Sequence, residues 1–91
     1  MTVNWTNEDA DFHVAECDLG AGVVVQLLVE SLGEHGWDWQ MWDPSRCLRT
    51  GYGVADTLEE AKVQAELAVA TAMARARMTL TEMFQLLGQA A

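Results

Sequence analysis

Apolar and polar positions alternate with two different periods in the two halves of the chain. Val23-Val24-Val25-Gln26-Leu27-Leu28-Val29 is rich in β-branched residues and bounded by glycines, which predicts a strand. Val23, Val25, Leu27 and Val29 make one face. Val24 and Leu28 place apolar groups on the other, so this strand is expected at the centre of a sheet and covered on both sides. Trp37-Asp38-Trp39-Gln40-Met41 alternates strictly, with Trp37, Trp39 and Met41 inward. Phe12 to Asp18 alternates more weakly and predicts a short strand, with Phe12, Val14 and Glu16 on one side and His13, Ala15 and Cys17 on the other. Leu48 to Val54 completes the set after the Asp43-Pro44-Ser45 turn; Gly51 and Gly53 share a face and leave room for something to approach closely, expected to be the helix that follows. Residues 1–11 are polar and turn-rich and read as an irregular lead-in whose Trp5 tucks back onto the core.

From Leu58 the period changes to that of a helix. Thr57 and Glu60 have the spacing of a capping box. A helix over 58–77 puts Leu58, Ala61, Ala65, Ala68, Val69, Ala72 and Ala76 on one face, small enough to lie close on a sheet. A narrower stripe of Val63, Leu67, Ala70 and Ala74 lies opposite and needs its own cover. Thr79-Leu80-Thr81-Glu82 repeats the capping-box spacing, and Leu80, Met83, Phe84 and Leu87 then follow at i, i+3, i+4 and i+7 before Gly88. That pattern predicts a second, short helix, which must pack against the long helix, the sheet or another chain. The expected fold is α+β: one small domain over 1–91, with a four-stranded, mainly antiparallel sheet, one long helix on it and a short C-terminal helix.

Composition narrows the function classes. Ninety-one residues can own a single core and leave no room for a deep enzyme cleft. The uncharged apolar runs fall well short of the roughly 20 residues that cross a bilayer, so no membrane partner is expected. Met1-Thr2-Val3-Asn4-Trp5 has neither a basic nor an apolar leader segment, which makes the cytoplasm the default location. There, Cys17 and Cys47 are expected to be small buried thiols rather than a disulfide. The formal net charge is −9, and it is unevenly spread. Residues 1–60 carry twelve acids against Arg46 and Arg49; residues 61–91 carry Glu66 and Glu82 against Lys62, Arg75 and Arg77. Such a field repels phosphate backbones and attracts basic surfaces, which argues against direct nucleic-acid binding.

No catalytic or metal constellation emerges. His13, Cys17, His35 and Cys47 are possible ligands, but His13 and Cys17 on one strand stand about 13 Å apart, and no C-x-x-C or H-x-x-x-H pair exists. Gly20-Ala21-Gly22 and Gly51-Tyr52-Gly53 lack phosphate-loop spacing. Glu59 and Glu60 suit a helix N-terminus, where the macrodipole favours them. Neither enzyme activity, a cofactor nor a metal is expected. The tryptophans say more: Trp37 and Trp39 belong to the core, whereas Trp42, opposite in phase, belongs to the second face of the sheet as core or partner contact.

The passage Gly51-Tyr52-Gly53-Val54-Ala55-Asp56-Thr57-Leu58-Glu59-Glu60-Ala61, with the strands before it and the helix after it, resembles the sheet-then-helix module of HicB-like antitoxins over residues 23–74. No Pro-Gly-Cys strand motif precedes it and no DNA-binding tail follows Arg77. That resemblance implies a regulator which binds a small basic toxin. In size, acidity and lack of catalytic motif the chain also resembles small phage-encoded inhibitors of bacterial defence systems, anti-CRISPR proteins among them. Physics favours this second reading: a compact acidic scaffold can occupy a basic channel of a larger protein. The expected function is therefore a non-catalytic, acidic protein-binding module, docking through Glu30, Glu34, Asp38 and Asp43 beside Trp42 on a partner with a basic surface. A homodimer is expected as well, packed through Leu80, Met83, Phe84 and Leu87.

Overall fold

The computed structural model describes residues 3–20 and 22–90, with side chains described as far as Arg77 and at Gln85. Its elements are β1 (Trp5–Asp9), β2 (Phe12–Gly20), β3 (Val23–Ser31), a 3-10 turn (Gly33–His35), β4 (Trp37–Asp43), β5 (Leu48–Ala55) and α1 (Leu58–Ala90). The strands pair in the order β1-β2-β3-β4-β5, every pair antiparallel, so the sheet is a meander of consecutive hairpins with β3 at its centre. The α+β class is as expected, but two of its details are not.

The sheet has five strands rather than four. Residues 5–9, expected to be irregular, form β1, which pairs Trp5 with Ala15 and Thr6 with Val14. An edge strand needs only one buried face and few apolar residues, and its polar side chains protect the open edge from pairing with another chain. Here Trp5 supplies the buried contact. Its indole Nε1 donates to Glu66 Oε1 at 2.8 Å, and the Lys62 ammonium stands 5.5 Å from its ring centroid, tying β1 to α1. The Asp9 carboxylate accepts from the Asp11 amide at 2.7 Å and shapes the turn into β2.

The second correction concerns the C-terminus. A single helix of 33 residues, Leu58–Ala90, replaces the expected long and short pair. Thr57 does begin it: its Oγ1 accepts from the Glu60 amide at 3.1 Å. The second box, Thr79 to Glu82, does not break the helix, because neither glycine nor proline interrupts the chain between Leu58 and Leu87 and Ala, Arg, Met and Leu favour continuation. Residues spaced three apart on a running helix look the same in sequence as an N-cap and its partner. The side chains of Leu80, Met83, Phe84 and Leu87, the expected dimer surface, lie outside the described residues. The helix, about 50 Å long at 1.5 Å per residue, sets the long axis of a molecule measuring 58 × 23 × 21 Å.

One face of the sheet packs on α1. Ala15, Cys17, Val25, Leu27, Val29, Trp39, Met41 and Ala55 meet Ala61, Ala65 and Val69, the small-residue stripe expected from the sequence. Gly51 and Gly53 do face this layer, but what closes on them is Trp39 of the neighbouring strand, paired directly with Gly53. Trp39 Nε1 donates to Gln64 Oε1 at 2.8 Å, which holds the ring flat between β5 and the helix. His13 is buried on the same face, edge-on to Trp37 at 6.1 Å between centroids, and its Nε2 has no partner among the described residues. Cys17 is buried, and burial first, then the Glu66 carboxylate, pushes its thiol pKa up. Cys47 departs from expectation: it is exposed in the β4–β5 turn, in a left-handed backbone conformation with φ 50°. Both thiols are free.

Candidate functional site

The opposite face of the sheet carries no covering element among the described residues. Among the described residues, the cover expected on both sides of β3 is present on one side only. Strand register assembles this outer face in rows across the sheet. Phe12, Glu30, Asp38 and Val54 form one row; Thr6, Val14, Leu28, Gln40 and Tyr52 form the next; Glu16, Gln26, Trp42 and Arg49 form the third. Phe12, Val14, Leu28 and Trp42 are half-buried by their neighbours alone, while Tyr52 and Val54 are exposed. The result is an apolar band crossing the strands with carboxylates on both sides of it.

The β4 side of this face is organised by hydrogen bonds between alternate residues. Trp42 Nε1 donates to Gln40 Oε1 at 2.7 Å, and Gln40 Nε2 donates to Asp38 Oδ2 at 2.9 Å. This chain ties the half-buried Trp42 indole to its own strand. Asp38 also stands directly across from Glu30, a like-charge pair that opposes sheet pairing and that a cation bound over both would relieve. An irregularity between Met41 and Trp42 brings Arg49 opposite Trp42, and the Arg49 guanidinium sits 4.7 Å from the Tyr52 ring centroid, closing the far edge.

Of the residues expected to bind a partner, the structure therefore brings Glu30, Asp38 and Trp42 onto one surface. Glu34 lies in the exposed 3-10 turn, in the β3–β4 connection beyond Glu30 and Asp38. Asp43 does not join them. It ends β4 on the side facing α1, where it accepts from the Ser45 hydroxyl and from Arg46 Nε of the following turn, both at 2.6 Å. Those two hydrogen bonds, the hydroxyl first, hold its pKa down at about 2. Glu16, by contrast, was not among the expected binding residues, yet it stands on the outer face beside Gln26. Its signal was the alternation of Phe12, Val14 and Glu16, combined with the β2–β3 register that sets Val14 beside Leu28 and Glu16 beside Gln26.

A second concavity, about 630 Å³, opens between α1 and the β4–β5 end of the sheet. Leu19, Val25, Met41 and Ala72 line it, with Arg46 and Arg75 among its polar groups. Among the described residues no cluster of three or more His, Cys, Asp or Glu side chains forms, and no helix is long and apolar enough to cross a membrane. No protein-family model, curated protein or solved structure matches the chain.

Proposed function

We propose that the protein is a non-catalytic binding module that docks its outer sheet face on a basic surface of a larger protein. One observation carries this reading: the uncovered face combines an apolar band, Val14, Leu28 and Trp42, with flanking carboxylates from Glu16, Glu30 and Asp38. An interface of this make-up gains affinity from an aromatic anchor and on-rate from charge. A second copy of the chain is a poor occupant, because it would bring the same acids against themselves. Self-association would instead use the outward stripe of α1, where Val63 and Leu67 are 62% and 64% exposed. A partner whose basic surface binds nucleic acid would be blocked, which is the action of a small acidic inhibitor such as a phage protein directed at a host defence system.

The test is capture of the partner, followed by affinity measurements on the purified pair at rising salt. Affinity should fall steeply with salt, and Trp42→Ala should weaken binding by about 2 kcal/mol or more, as truncation of an aromatic anchor does. Affinity indifferent to both changes would refute docking through this face. Capture of a small basic toxin would favour the antitoxin-type regulator instead.

A further inference from the structure

The outer face has a depression of about 450 Å³ over β1, β2 and β3, and its lining is unlike the rest of the face. Val14 and Leu28, cross-strand neighbours, give it an apolar floor. Asn4, Thr6, Glu16 and Gln26 stand around that floor. Whereas the polar side chains of β4 are tied to one another, none of these four side chains is hydrogen-bonded among the described residues. Three of the five cations are engaged elsewhere: Lys62 lies over Trp5, Arg46 on Asp43 and Arg49 beside Tyr52.

We infer that this depression is an arginine-accepting subsite of the docking face. The inference rests on the docking reading above and names what the partner must present there. An arginine buries its methylene stem on apolar surface while its charged head stays at the rim. Here the stem lies along Val14 and Leu28, and the planar guanidinium reaches the Glu16 carboxylate, which can accept two parallel N–H bonds. Its remaining donors meet the side-chain oxygens of Gln26, Asn4 and Thr6. Lysine, a compact point charge with three donors, cannot meet Glu16 with two parallel bonds and would leave at least one of the other acceptors unfilled. The row Glu16–Gln26–Trp42 also sets a spacing, since two strand steps of about 4.8 Å separate its ends. The partner presents an arginine and an apolar side chain about 10 Å apart.

The probe is n-butylguanidinium, an arginine side chain without its backbone, titrated into the 15N-labelled protein with n-butylammonium as the lysine-like control. Saturable amide shifts should appear at Val14, Glu16, Gln26 and Leu28, several-fold tighter for the guanidinium, and Glu16→Gln should abolish them. Glu16 is exposed and makes no hydrogen bond among the described residues, so that variant keeps the fold. Shifts scattered over the surface, or unchanged in Glu16→Gln, overturn the subsite. With the partner in hand, binding that is weakened by reversal of Glu30 and Asp38 but untouched by Glu16→Gln rejects the subsite and leaves the docking face standing. Loss of binding in Glu16→Gln as well supports both.

Discussion

Adding one methyl group at Gly53 should unfold the sheet–helix layer far more readily than adding it at Gly51. Both glycines lie on β5 and both face α1. A Cβ on Gly51 would meet the Met41 and Trp39 side chains at 3.5 Å, an ordinary contact. On Gly53 it would fall 2.5 Å from Trp39 Nε1, 2.8 Å from Cε2 and 3.0 Å from Cζ2. The indole cannot simply step aside, because β4 is held between β3 and β5 and the ring nitrogen is bonded to Gln64. Overpacking of this kind costs about 1–3 kcal/mol, and disturbing the Trp39–Gln64 hydrogen bond adds about 1 kcal/mol. Against this, replacing glycine in a strand returns about 0.4–1 kcal/mol of unfolded-state entropy. Gly53→Ala should therefore lose about 1–3.5 kcal/mol, or roughly 5–25 °C in Tm for a domain of this size. Gly51→Ala should stay within about 0.5 kcal/mol of the parent. Urea unfolding followed by tryptophan fluorescence and far-UV circular dichroism measures both. Equal stability of the two variants would show that Trp39 does not lie over Gly53.

Three further outcomes are expected. His13→Leu removes a buried, unpartnered Nε2 and should raise stability by about 1–2 kcal/mol in the same urea assay; a loss would mean that the imidazole is satisfied. In the native protein a thiol reagent such as 5,5′-dithiobis(2-nitrobenzoate) should modify Cys47 quickly and Cys17 only on unfolding, and prompt modification of both would contradict the packing of β2 under α1. Asp43 has its pKa lowered from 3.8 to about 2 in the folded protein, so its ionised form stabilises the fold above pH 4 and that contribution disappears as pH falls toward 2. Asp43→Asn should flatten this part of the acid limb of a Tm-against-pH curve, and an unchanged limb would refute the role given to the Ser45 and Arg46 contacts.

The parts of the fold visible in the sequence were those where burial imposes a period. β4 alternates because one of its faces meets α1, β3 is marked by its β-branched run between glycines, and the alanine stripe of α1 marks the close approach. β1 left no such mark: Trp5 is its main inward residue, and edge pairing is made by backbone groups common to every sequence. The continuity of α1 was hidden because a Thr-x-x-Glu spacing serves equally as a cap or as two neighbours on one helix face. At the site, Trp42 could be placed by phase. The same phase puts Asp43 on the face of Met41, opposite Trp42, and nearness along the chain obscured this. Glu16 needed the β2–β3 register, which no single strand reveals.

The location of docking is tested most directly by moving the same charge on two faces. Glu30→Lys with Asp38→Lys and Glu59→Lys with Glu60→Lys change net charge equally, the first pair on the outer sheet face and the second at the start of α1. Both doubles, titrated calorimetrically against the purified partner, share any general loss of electrostatic steering. The outer-face double should lose at least about tenfold more affinity than the helix double, about 1.4 kcal/mol. Equal losses in the two would show that charge acts at a distance and that the outer face is not where the partner sits.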